Sequence, residues 1–177
     1  MKLISIRPAV QPVPALAFAV ILGLSGMALQ AQAATATASL AVTARVNGAC
    51  TIATTAPVGF GIYDTALVGP TLAVGTLSVS CPTTQSGTIS LSAGANEGVG
   101  STQANPTRRM ASGTNFLAYQ LFTDSDRAIV WADGALNTVT HVGTGNLATL
   151  SVYGSLAGQQ TAVTGNYADT VTATITY

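Results

Sequence analysis

Thr170-Val171-Thr172-Ala173-Thr174-Ile175-Thr176-Tyr177 alternates without a break. Val171, Ala173, Ile175 and Tyr177 fall on one side and four threonines on the other, the period of two that a half-buried β-strand requires. A second such stretch stands far upstream, Ser39-Leu40-Ala41-Val42-Thr43-Ala44-Arg45-Val46, where Leu40, Val42, Ala44 and Val46 share a face. Between the two, short apolar or alternating runs recur at Thr76–Ser80, Thr88–Ala93, Leu117–Phe122, Ala128–Trp131 and Leu147–Tyr153. Turn signals separate them, among them Val68-Gly69-Pro70, Gly94-Ala95-Asn96, Asp133-Gly134, Gly143-Thr144-Gly145-Asn146 and Gly165-Asn166. No segment after residue 33 holds a helical period for three turns, and β-branched residues are frequent throughout. The pattern predicts an all-β chain, a sandwich or barrel.

The first 33 residues read as a secretory signal peptide. Lys2 and Arg7 form a basic leader, Ala15–Leu29 is an apolar run, and Ala31-Gln32-Ala33 is a small-residue cleavage site. Gly23, Ser25 and Gly26 interrupt the run, which falls short of the roughly 20 apolar residues of a membrane span. Beyond residue 33, Arg45, Arg108, Arg109 and Arg127 stand against Asp64, Glu97, Asp124, Asp126, Asp133 and Asp169, four cations against six anions and a net charge of −2. Four arginines make no basic face, which argues against nucleic acid as a partner. So little charge leaves a free monomer exposed to association, while the β-branched content argues against disorder. Such a chain folds, or it assembles.

Cys50 and Cys81 form an even pair in an exported chain and read as a disulfide. Val46, Cys50 and Ile52 share one parity, and Leu77, Val79 and Cys81 share another. Each cysteine therefore lies on the apolar side of its own segment, and the two are expected to meet across a core. A metal or redox pair lacks both a C-x-x-C spacing and a nearby histidine.

Catalytic constellations are nearly absent, and no cofactor, metal or enzymatic activity is expected. His141, the single histidine, reads as an exposed loop residue, since no G-x-S-x-G elbow or free thiol accompanies it. Asp124 and Asp126 are close enough for acid–base or calcium chemistry, yet Thr123-Asp124-Ser125-Asp126 reads better as a turn. Arg108-Arg109 and Trp131 suggest either a ligand platform or, more plainly, a solvated basic turn and a core indole.

Three groups of residues carry a family resemblance. They are Gly48-Ala49-Cys50-Thr51-Ile52, Val58-Gly59-Phe60-Gly61-Ile62-Tyr63 and Leu77-Ser78-Val79-Ser80-Cys81-Pro82. Downstream follow Arg109-Met110, Ala118-Tyr119-Gln120-Leu121-Phe122, Val130-Trp131, Val152-Tyr153-Gly154 and the run Gly165-Asn166-Tyr167-Ala168-Asp169-Thr170-Val171. Together they resemble the spore coat protein U domain family, which includes subunits of archaic, Csu-type chaperone–usher pili. The resemblance implies an immunoglobulin-like sandwich lacking its last strand, over residues 48–177. Residues 34–47 would then be a donor strand, with Ala38, Leu40, Val42 and Ala44 inserted into a neighbouring copy. Val171, Ala173, Ile175 and Tyr177 would line this chain's own acceptor groove and touch a periplasmic chaperone. The implied partners are further pilin subunits in a head-to-tail polymer, the chaperone and an outer-membrane usher. The implied location is the cell surface, reached through the periplasm, with a role in adhesion and biofilm. A secreted coat protein of the same fold and a carbohydrate-binding tip adhesin are the alternatives.

Overall fold

A computed structural model describes residues 34–134 and 136–177; the expected signal peptide lies outside the described residues. The chain divides into two units, Met1–Thr43 and Ala44–Tyr177. Of the first, residues 34–43 are described and contain no strand. The second holds eight strands and, among its described residues, no helix: β1 (Thr51–Ala56), β2 (Thr71–Ser80), β3 (Ser86–Leu91), β4 (Arg108–Ser112), β5 (Asn115–Phe122), β6 (Val139–Val142), β7 (Leu147–Leu156) and β8 (Ala173–Thr176). They build a five-stranded sheet in the order β1-β2-β7-β5-β4 and a three-stranded sheet in the order β6-β3-β8. Every ladder is antiparallel.

The core lies between the sheets and follows from the alternation. Leu77 and Val79 of β2, Ile89 and Leu91 of β3, Leu117, Tyr119 and Leu121 of β5 and Val152 and Leu156 of β7 all turn inward and are buried. The opposite face is mainly serine and threonine in the three-stranded sheet, while that of the five-stranded sheet also exposes Leu72, Val74, Phe116 and Leu147. In the three-stranded sheet Thr88 lies between Thr140 and Thr176, and Ser90 pairs with Thr174. Among the described residues, Arg108 and Arg109 of β4 are the only Lys, Arg, Asp or Glu residues in any strand.

Cys50 and Cys81 are joined by a disulfide with a Cα–Cα separation of 4.2 Å. They directly follow the pair Thr51–Ser80 at the end of the β1–β2 ladder, so the bridge staples neighbouring strands of one sheet. The expected bridge across the core is corrected on this point. Two adjacent strands whose last residues share one inward face bring their thiols together without crossing the sandwich. The closed loop spans 31 residues, for which chain entropy gives roughly 3–4 kcal/mol. Replacing both cysteines by serine should lower the unfolding free energy by about that amount in a denaturant titration. Alkylation of the unreduced protein should add no mass.

Three strand expectations change. Ala128–Trp131 forms only an isolated bridge, Phe122 to Val130, because the carboxylate of Asp124 caps a tight loop by accepting from the amides of Ala128 (2.9 Å) and Ile129 (2.8 Å). Those two bonds also hold the Asp124 carboxyl below its usual range, and they bear out the turn reading. His141 is no loop residue: it lies on β6 opposite Gly87, half-buried, with Nε2 buried and unpartnered. Ser39–Val46 belongs to no strand.

Candidate functional site: an open sandwich edge

Among the described residues, β8 pairs with β3 along one side only. The amides of Ser92 and Ala95 donate to the carbonyls of Thr172 (2.9 Å) and Thr170 (3.1 Å), and Ala168 exchanges two bonds with Ala111 of β4. Even-numbered residues of this segment therefore spend their backbone groups on β3 and β4. By strict alternation the amides and carbonyls of Asp169, Val171, Ala173 and Ile175 point to the opposite, open edge. The side chains of those odd-numbered residues turn inward and are half-buried.

Beside this edge runs an apolar cleft of about 420 Å³. One wall is Thr54 and Ala56 of β1 continued by Pro57, Val58 and Phe60; the other runs from Tyr167 through Val171 to Ala173. Leu77, Leu91, Met110, Tyr119, Leu121 and Val152 make the floor. A second, more polar lobe of about 840 Å³ continues past Phe60 and Tyr167 toward Ile62, Tyr63 and Val163. The two lobes share Val58, Phe60, Met110 and Tyr167.

The first wall is seated on two glycines. A Cβ at Gly75 would meet Val58 Cγ2 at 2.7 Å, and one at Gly154 would meet Val58 Cγ1 at 2.6 Å and Phe60 Cζ at 2.9 Å. Bare backbone on β2 and β7 thus lets the segment lie directly on the sheet. Its far end is tied by Tyr63, whose hydroxyl donates to the carbonyl of Ala157 (3.0 Å) and accepts from the amide of Gln160 (2.8 Å).

The second wall is tied by polar groups. Tyr119 donates to Asp169 Oδ2 at 2.7 Å, and burial together with that bond pushes its phenol far above the usual range. Arg108 is 1% exposed, and its guanidinium donates to the carbonyls of Leu91 (2.9 Å), Ser92 (2.7 and 2.9 Å) and Trp131 (2.8 Å) and to Gln120 Oε1 (3.1 Å). Desolvation lowers its pKa to about 10, so the side chain stays charged at neutral pH. Arg109 lies over the Phe116 ring at 4.1 Å and donates to the carbonyls of Asn96 (3.2 Å) and Glu97 (2.8 Å). The expected solvated basic turn is therefore wrong, because both arginines sit on β4 with their charges spent on carbonyls. Trp131 is the core indole expected, 1% exposed and donating from Nε1 to the carbonyl of Ile89 (3.0 Å).

Val171 and Ala173 stand in the second wall of the cleft. Ile175 packs instead toward Gly87 and Cys50, and Tyr177 is exposed. Ala38, Leu40, Val42 and Ala44 are exposed and in no strand. Sequence reasoning missed Val58, Phe60 and Tyr119 as cleft residues. The alternation Val58-Gly59-Phe60-Gly61-Ile62 was a signal for the first two; only the fold places Tyr119.

The order β1-β2-β7-β5 facing β3-β8 is the A-B-E-D and C-F arrangement of an immunoglobulin-type sandwich, and no described strand occupies the place of strand G beside β8. The class is thus an immunoglobulin-like sandwich open at its last-strand edge. The chain belongs to the Spore Coat Protein U domain family, matched over residues 36–174. It is 40% identical over 157 residues to "Protein U" of Myxococcus xanthus, covering 83% of this chain and 88% of that protein. Its fold is similar to a chain in the crystal structure of the CsuC–CsuE chaperone–tip adhesion subunit pre-assembly complex, from archaic chaperone–usher Csu pili of Acinetobacter baumannii. There the TM-score is 0.51 at 19% identity, over 75% of this chain and 40% of that one, so this chain spans about two fifths of its neighbour's length.

Proposed function

We propose that this chain is a structural subunit of a surface fibre, a pilus or fimbria assembled by the chaperone–usher route, and that it supports adhesion and biofilm formation. The observation that carries this reading is the open backbone edge of residues 169–175 beside an apolar cleft. A strand edge of this kind takes up an added strand through main-chain hydrogen bonds, while pockets beneath it select alternate side chains. Left unfilled it invites aggregation, which a periplasmic chaperone manages before an outer-membrane usher hands the subunit on. The segment 34–47 is the strand to be given. It is exposed, it alternates, and Ala38, Leu40, Val42 and Ala44 are small enough to enter the cleft of another copy. Val171 and Ala173 are the receiving wall. Donation from one copy to the next is a head-to-tail contact that does not close on itself, so it extends into a fibre.

The likeness to Protein U and the family's own description favour one second reading, a coat layer built from the same contact. Negative-stain electron microscopy of the assembled protein separates the two: thin unbranched fibres are the expected result, and sheets support the coat. A protein that stays monomeric at high concentration sinks both.

A further inference from the structure

Asp169 does more than stand in a wall. Its Oδ2 accepts from the Tyr119 hydroxyl (2.7 Å), and its Oδ1 accepts from the amides of Ala95 (2.9 Å) and Asn96 (3.1 Å) and from Asn96 Nδ2 (3.1 Å). Four donors from two other parts of the chain, β5 and the β3–β4 connection, converge on one carboxylate. Charge-assisted bonds of this kind are roughly twice as strong as neutral ones. Gly94 has φ +92°, and a Cβ there would run into Asp169 Oδ2, so the connection closes around the carboxylate only with glycine at that position.

Tyr119 reaches both sides of the cleft. Its ring meets Phe60 of the first wall edge-on, with centroids 6.1 Å apart, and its hydroxyl holds Asp169 of the second. One rigid side chain therefore spans the floor and touches both walls. The second wall is also held by the three other donors to Asp169 and by the packing of Val171 and Ala173 on the core, but of these only Tyr119 reaches the opposite wall. Between Ala168 and the start of β8 at Ala173 its backbone is tied by the bonds from Ala95 and Ser92 alone. Without a tie, an apolar cleft lowers its free energy by closing on itself.

We propose that Tyr119 and Asp169 form a latch that holds the two walls at a fixed separation in the unfilled subunit, so that an arriving strand meets a cleft already open. The proposal rests on the reading of the cleft as a strand acceptor. A preformed site spares the bound state the cost of ordering its own walls. Both are positioning residues, and their effect reads out in strand affinity.

The test uses as parent the full chain carrying Leu40→Asp and Val42→Asp, in which no copy fills its neighbour's cleft, and adds Tyr119→Phe or Asp169→Asn to it. Each is titrated with a fluorescent synthetic peptide of the sequence Ala34–Asn47 and followed by amide hydrogen exchange. Tyr119→Phe keeps the ring against Phe60 and removes only the tie. Both variants should keep the far-ultraviolet circular dichroism of the parent and bind the peptide at least tenfold more weakly, about 1.4 kcal/mol. Exchange at residues 168–173 should quicken in both, and that at Ala95 and Asn96 in Asp169→Asn. Variants that bind as tightly as the parent overturn the latch, even if their melting midpoints fall. A parent chain that ignores the peptide overturns the acceptor reading instead. The latch then stands or falls on exchange, and unchanged protection of residues 168–173 in Tyr119→Phe overturns it.

Discussion

A chain carrying Leu40→Asp and Val42→Asp is expected to fold normally and to form no polymer. Leu40 and Val42 are 88% and 87% exposed, so aspartate there disturbs no packing in the free subunit. Seated in a neighbour's cleft, each native side chain would contribute about 1.5–3 kcal/mol by leaving water. An aspartate in the same place loses that gain and brings a carboxylate against Leu77, Leu91 and Leu121, a burial that costs at least several kcal/mol without a partner. Two such positions outweigh the affinity of an ordinary strand contact. On unboiled gels the parent should give a ladder of multimers and the variant a single band. A variant ladder equal to the parent's would remove the donor role from this segment. The opposite face is the control: Thr43→Asp should leave the ladder standing, since that side chain would point away from the cleft.

The second large effect is on folding. Arg108→Met should destabilise the domain by several kcal/mol, since each buried acceptor left without a donor costs about 1–3 kcal/mol. Arg108 is the point where the sheets are pinned. From β4 of the five-stranded sheet it donates to Leu91 and Ser92 at the end of β3 and to Trp131, whose own indole nitrogen is bonded to β3. Methionine fills much of the volume but leaves these carbonyls without donors. Arg108→Lys should recover little, because a single ammonium does not reproduce a planar fork spread over four groups. A urea midpoint close to the parent's would mean that the carbonyls find other donors.

The threonine alternation at 170–177 disclosed the strand because it states the burial of each residue separately, and the structure repeats it through Thr176. The runs at Thr76–Ser80, Thr88–Ala93, Leu117–Phe122 and Leu147–Tyr153 were legible for the same reason, within a few residues at their ends. β4 was not. Arg108-Arg109 looks like surface, and nothing local reveals that carbonyls from distant turns wait for a guanidinium. Ala128–Trp131 failed in the other direction, as its apolar letters sit in a loop shaped by the Asp124 carboxylate. Of the cleft, Val171 and Ala173 could be read from parity. Val58 and Phe60 lay in a visible alternation, but their seat on Gly75 and Gly154 joins the segment after β1 to two strands, β2 and β7, that are far apart in the chain. Tyr119 and Asp169 are fifty residues apart and meet only because β5 and the wall converge on one floor.

Among the described residues charge is confined to β4 and the loops, and this bears on where such a subunit can work. Contacts between uncharged strands, like an apolar side chain in an apolar cleft, offer counter-ions nothing to screen. An assembly joined in this way keeps its cohesion from dilute freshwater to brine.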